Sequence, residues 1–239
     1  MRVLAFDTAT PATAVALAGF GAKVLQARDD PPPGRRPGHV RRLLPLIDSL
    51  LTRAGADFGE LERIAVGTGP GTFTGLRIGI ATARALAGAA GVPLVGVPTL
   101  LSLAVGARAT MAGLGARHVL AVIDARRGEA FAAAWAQPAP GAAQAIATGA
   151  YGPTALARAV RGLDDGPILA VGDGAVEFRE VLERSGAFVP ADGSDVHRVS
   201  AAVHAELSRG LAPADPDHVR PQYIRLPDAE LARRGAQPT

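Results

Sequence analysis

Val66-Gly67-Thr68-Gly69-Pro70-Gly71-Thr72-Phe73-Thr74-Gly75-Leu76-Arg77-Ile78-Gly79 decides how the chain folds. An apolar, strand-like run over residues 64–66 enters this stretch, and a helical pattern leaves it. Glycine at such density serves one of two ends. It lets the backbone approach a bound group such as phosphate, or it lets the following helix pack tightly.

Downstream, residues 74–90 read as a helix, with Gly75, Gly79, Ala83 and Ala87 at four-residue intervals. That row forms a smooth ridge against which another backbone can lie. Internal packing is one use for it. Leu76, Ile80 and Leu86 flank it, so contact with a partner helix is the other. Gly91-Val92-Pro93 stops the helix, a short strand follows at 94–97, and a further helix spans 99–107 with Thr99 as its N-cap.

Upstream, residues 2–7, 12–17 and 23–27 form three short apolar runs separated by tight turns, the pattern of an antiparallel meander. Residues 39–54 place Val40, Leu43, Leu44, Ile47, Leu50 and Leu51 at spacings of three and four, an amphipathic helix. Pro45 either kinks that helix or marks its first regular turn. The first half thus reads β-β-β-α-β-α-β-α, an α/β layer pattern. After a joint at 108–117 the pattern restarts, with strands at 118–124, 129–136 and 142–147. A helix at 153–160, a strand at 168–171 and helices at 174–185 and 200–209 follow. Strand, Asp and turn occur twice, at Asp7 and Asp124, but the second half shows no glycine-rich match to the opening stretch. The expected division is a first lobe at 1–108, a smaller second lobe at 109–226 and a flexible polar tail at 227–239.

Composition narrows the chemistry. The 239 residues are 48% hydrophobic but only 4% aromatic, so the cores must be aliphatic. There is no cysteine, which removes disulfides, thiolate zinc sites and thiol nucleophiles. Net charge is only +3, without a dense basic run. The segments 35–42 and 126–127 are its basic spots, read as solvated surface in preference to contacts with nucleic-acid phosphates. Helical metal sites place two histidines four residues apart. Four residues after His39, His197 and His204 stand Leu43, Ala201 and Ser208, so no metal ligands are expected. The N-terminal apolar run meets Asp7 too early for a signal core, and no stretch approaches a membrane span, so a cytoplasmic protein is expected.

Asp7-Thr8-Ala9-Thr10, an aspartate closing a strand before a Thr-rich turn, resembles the first phosphate loop of the actin and sugar-kinase superfamily. The resemblance makes Asp7, Thr8 and Thr10 candidates for a residual nucleotide site. The alternative is an aspartate that caps its own turn. A broader resemblance covers nearly the whole chain. It rests on Asp7 to Thr10 with Ala14 to Leu17, on His39 with Arg42 to Ile47, and above all on Gly69 to Gly79. Pro98 to Leu100, Asp124 to Glu129 and Pro221 to Arg225 add to it. These segments resemble the bacterial TsaB (YeaZ) family of tRNA threonylcarbamoyladenosine biosynthesis proteins. The resemblance implies an actin-like (ASKHA, ribonuclease H-like) two-lobed α/β fold with mixed sheets flanked by helices. It also implies a non-catalytic dimerisation subunit that needs no cofactor and has no activity alone. The implied partners are a TsaD-type catalytic paralogue with a metal-binding histidine pair, a TsaE-type ATPase, and tRNA reached through the complex. The expected interface is His39, Leu43, Leu44, Ile47, Gly75, Leu76, Arg77, Gly79 and Ala83, with homodimerisation through the same ridge left open. A reading of a different class is an independent nucleotide-dependent phosphotransferase or hydrolase using Asp7 and Asp124. A third, a metallopeptidase, lacks ligands at helical spacing.

Overall fold

The computed structural model describes residues 1–32, 35–163 and 165–225. The tail expected at 227–239 lies outside the described residues.

The first half contains Val3–Asp7 (β1), Thr13–Ala18 (β2), Leu25–Asp29 (β3), His39–Ala54 (α1), Arg63–Gly69 (β4), Phe73–Ala90 (α2), Leu94–Pro98 (β5) and Thr99–Gly106 (α3). Arg108–Gly113 (α4) occupies the joint. The second half contains His118–Asp124 (β6), Ala130–Trp135 (β7), Ile146–Tyr151 (β8), Pro153–Arg161 (α5), Ile168–Val171 (β9), Asp173–Glu177 (α6), Arg179–Glu183 (α7), Ala187–Phe188 (β10) and Ala201–Leu207 (α8).

The two sheets have one topology. The first runs β3-β2-β1-β4-β5 and the second β8-β7-β6-β9-β10. In each, the first three strands are antiparallel and the last two join in parallel. This duplicated α/β unit is the actin-like, ribonuclease H-like two-lobed fold.

Alternation along the strands builds the layers. Leu4 and Phe6 face the outer core beneath α1 and α2, while Val3 and Ala5 face the middle of the molecule. There α3 and α8 lie between the sheets, in a continuous core that also takes Val119, Ala121, Ile123, Phe131 and Trp135. A third core beneath α5, α6 and α7 covers the far face of the second sheet. Helix α8, from the end of the chain, packs on β1 and β2 of the first sheet.

Several details differ from expectation. Helix α1 continues through Pro45, because Leu43, Ile47 and Leu50 anchor it to the sheet on either side. The strand expected at 142–147 starts at Ile146, where alternation begins to face the third core. The helix expected at 174–185 breaks at Phe178 into α6 and α7, and Phe178 itself is buried. Thr99 is the first helical residue and makes no cap bond. Among the described residues no helix is long and apolar enough to cross a membrane.

Candidate functional site

Gly67, Gly71, Gly75 and Gly79 recur every fourth residue, and all four back onto the turn that follows β1. A Cβ at Gly67 would collide with the Asp7 carboxylate, and one at Gly71 with the Ala9 carbonyl. At Gly75 it would strike the Thr8 carbonyl, and at Gly79 the Thr8 hydroxyl. The Thr8 hydroxyl donates to the Gly75 carbonyl at 2.8 Å, and the Thr72 amide donates to the Ala9 carbonyl at 2.7 Å. The glycine row thus docks the start of α2 directly on Asp7-Thr8-Ala9.

Asp7 is 1% exposed and fully engaged. Its Oδ1 accepts from the Ala9 amide at 2.7 Å, the self-capping turn. Its Oδ2 accepts from the Thr99 hydroxyl at 2.8 Å and faces His204 Nε2 at 3.0 Å. Thr99 Oγ1 in turn accepts from the Gly69 amide at 3.1 Å. Burial by itself would raise the pKa of Asp7. The hydrogen bond and charge of His204, with the Ala9 amide and Thr99 hydroxyl, outweigh it and hold the carboxyl below its ordinary 3.8.

The other ring nitrogen, His204 Nδ1, lies 3.0 Å from the Ser200 carbonyl and 2.9 Å from Ser102 Oγ. Both ring nitrogens are thus engaged, Nε2 with the Asp7 carboxylate and Nδ1 with the Ser200 carbonyl and Ser102 hydroxyl. Ser102, His204 and Asp7 stand in the order of a hydrolytic triad. Each is at most 1% exposed, however, so no substrate reaches the hydroxyl. This is a buried tie between β1, α3 and α8.

The second lobe carries a matching turn that its sequence conceals. Gly172-Asp173-Gly174 joins β9 to α6 as residues 69–72 join β4 to α2. A Cβ at Gly172 would collide with the Val122 carbonyl, and one at Gly174 with the end of β6. The expectation of no glycine turn in this lobe is therefore corrected. It is shorter, but it packs in the same way. Asp173 accepts from the Asp124 and Gly174 amides at 3.2 and 2.8 Å. Burial, aided by the Asp124 carboxylate, pushes its pKa up to about 6. Thr10 faces Asp173 and His197 across a small recess between the lobes.

A larger cleft of about 380 Å³ opens where residues 71–74 meet the β6–β7 turn and the last described segment. Arg126, Arg127, Phe131, Tyr223 and Arg225 line it. Residues 214–225 run along the first lobe, with the Ala214 amide on the Leu94 carbonyl, Arg84 on the Val219 carbonyl and the Gln222 amide on the Thr68 carbonyl. The segment then crosses to the second lobe, where Arg225 binds Glu129 and the Ala125 carbonyl.

The solved structure of YeaZ from Pseudomonas aeruginosa is similar over 93% of this chain and 99% of that one, with a TM-score of 0.72 and 28% identity. The tRNA threonylcarbamoyladenosine biosynthesis protein TsaB of Escherichia coli K12 is 43% identical over 137 residues, 57% of this chain and 54% of that protein. The chain belongs to the TsaB/YeaZ family. The match spans about half the length of the curated TsaB relatives. An uncharacterized Mycobacterium tuberculosis H37Rv protein is 33% identical over 228 residues, 95% of this chain and 93% of that protein. The family model for TsaD, tRNA N6-adenosine threonylcarbamoyltransferase, matches residues 32–150.

In this TsaB/YeaZ chain the residues expected at a partner interface divide sharply. His39, Leu43, Ile47, Gly75, Leu76, Gly79 and Ala83 are buried within the first lobe. The small-residue ridge is consumed by the chain's own β1–β2 turn and sheet, and it has no free side to present. His39 holds Thr13 Oγ1 at 2.8 Å through Nδ1, and burial keeps its pKa below the usual 6.5 despite the nearby Asp7 and Asp29. Only Leu44 and Arg77 of the expected set face outward, beside Val40 on α1 and Ala81 and Ala85 on α2. Sequence reading missed His204 and Ser102, which lie far along the chain from Asp7. Among the described residues no group of three or more His, Cys, Asp or Glu side chains is placed to hold a metal.

Proposed function

We propose that this chain acts in the cytoplasm in tRNA N6-threonylcarbamoyladenosine biosynthesis. Its role there is that of a non-catalytic subunit pairing with a TsaD-type catalytic protein and served by a TsaE-type ATPase. The likeness to TsaB supports the pathway. The observation that carries the non-catalytic role is the state of Asp7. Its carboxylate sits where an actin-like phosphotransferase would use a free one, and here both oxygens are spent on Ala9, Thr99 and His204.

The pairing surface is the outer face of α1 and α2. Val40 is 75% exposed and Leu44 53%, one turn apart on α1. Exposed Ala81 and Ala85 on α2 leave room for a second helix to approach. Burying Val40 and Leu44 would contribute roughly 1.5–3 kcal/mol each.

Depleting the chain in its own cells and digesting the tRNA tests the pathway. Loss of N6-threonylcarbamoyladenosine from the nucleoside mixture is expected. Unchanged content of that nucleoside contradicts the proposal.

A further inference from the structure

We propose that the outer face of α1 and α2 receives an acidic protein surface, whose carboxylates meet Arg41 and, just ahead of α1, Arg35 and Arg36. The inference rests on the pairing role assigned to that face, and it names the chemistry of the partner. Charge is unevenly spread there. Helix α2 contains Arg77 and Arg84 and no carboxylate, and α1 sets Arg41, Arg42 and Arg53 against Asp48 alone. The chain as a whole is nearly balanced, at +3.

Several arginines around these helices are satisfied within the chain. Arg42 pairs with Asp29 at 3.0 Å, and Arg28 with Asp30 at 2.7 Å. Arg84 is spent on the Asp217 and Val219 carbonyls. Arg35, Arg36 and Arg41 differ. All three are exposed, and among the described residues their side chains meet no acceptor, carboxylate or ring. Arg158, Arg209 and Arg220 share that state but are scattered along the chain, whereas these three gather at one end of α1. Arg77 adds a cation on the outer side of α2, its guanidinium 3.8 Å over the Phe73 ring.

The neighbours of Arg41 decide between classes of partner. Val40, 75% exposed, precedes it, and Leu44, 53% exposed, follows within a turn. Exposed apolar side chains interleaved with unpaired arginines suit a protein surface whose apolar strip is rimmed by carboxylates. A phosphate backbone offers nothing to Val40 or Leu44, and the exposed residues of α1 and α2 include no aromatic ring for a base to stack on. A second copy of this chain would set arginine against arginine. Charges at the rim of an interface act mainly on the approach of the partner, so the expected signature is kinetic.

The test follows binding of the full chain to a TsaD-type subunit from the same genome, by surface plasmon resonance at several salt concentrations. The triple variant Arg35→Glu, Arg36→Glu, Arg41→Glu should associate at least about tenfold more slowly at low salt, with a flatter salt dependence. The variant Arg158→Glu, Arg209→Glu, Arg220→Glu makes the same change in net charge elsewhere and should slow association less than about threefold. Val40→Ala with Leu44→Ala should instead speed dissociation and leave the salt dependence as it was. Thermal melts confirm that each variant is folded. Association that ignores salt, or equal slowing by the two charge-reversed variants, overturns the proposal and leaves the pairing reading standing. Normal binding of the subunit by the first variant, with lost retention of a labelled octaribonucleotide, gives these arginines to phosphate and also overturns it. No complex with the unsubstituted chain at any salt sinks the pairing reading and this inference with it.

Discussion

His204 Nε2 and Asp7 Oδ2 lie 3.0 Å apart in full burial, joining α8 to the end of the first strand across nearly the whole chain. Around this pair gather Thr99 at the start of α3, Ser102 one turn on, and through Thr99 the amide of Gly69. The carboxylate has become the joint at which glycine-rich turn, central helices and first sheet meet.

Removing either side of that joint leaves the other buried without its partner. His204→Ala should cost about 3–5 kcal/mol in urea unfolding. Arg158→Ala on the surface should stay within about 0.5 kcal/mol. A loss below 1 kcal/mol for His204→Ala would show that the pair is not the joint described.

Two carboxyls give opposite pH signatures. Asp7 has a depressed folded pKa, so its contribution is present above its unfolded value near 3.8 and is lost as pH falls through the lower folded value. Asp173 has a folded pKa raised to about 6. Its favourable contribution is full below the unfolded value and is lost as pH rises through about 6. Asp173→Asn keeps an oxygen for the Asp124 and Gly174 amides while removing the charge. It should therefore stabilise the chain by roughly 1–3 kcal/mol at pH 8. The gain should vanish near pH 4, which urea unfolding at both pH values would measure.

The glycine row makes a test by double substitution. Gly79→Ala would favour the helix by about 1 kcal/mol in open space. Here its Cβ meets the Thr8 hydroxyl, so a net loss of about 1–3 kcal/mol is expected. Thr8→Ala removes the obstructing oxygen, and the double variant should recover about 1 kcal/mol or more of the Gly79→Ala loss. Gly88 meets no atom within 4 Å, and Gly88→Ala should stabilise by about 0.5–1 kcal/mol. Equal effects at Gly79 and Gly88 would refute the packing role.

How much of this was legible in the sequence depends on whether the signal was local. The α/β order, the strand ending at Asp7, the amphipathic period of α1 and the four-residue glycine row are all local, and the elements appear as expected. A row of small residues announces close approach without saying to what. Only the placement of the β1–β2 turn shows that Thr8 fills the space beside Gly75 and Gly79. That is why Gly75, Gly79 and Ala83 were expected at a partner surface and lie inside instead. His204 carried a negative signal, Ser208 four residues on, because its partner Asp7 comes from the other end of the chain. The turn at 172–174 was too short to stand out until topology matched β9 with β4.

The central claim, that the outer face of α1 and α2 pairs with a TsaD-type subunit, is tested most directly by titration calorimetry. The titration mixes that subunit from the same genome with this chain and with its Val40→Asp, Leu44→Asp double variant. Both substituted positions are exposed, so the variant should melt like the unsubstituted chain. A one-to-one complex with the unsubstituted chain, weakened at least about a hundredfold in the variant, is the predicted result, since two buried apolar contacts are lost. No binding by the unsubstituted chain, or equal affinity for both, would contradict it.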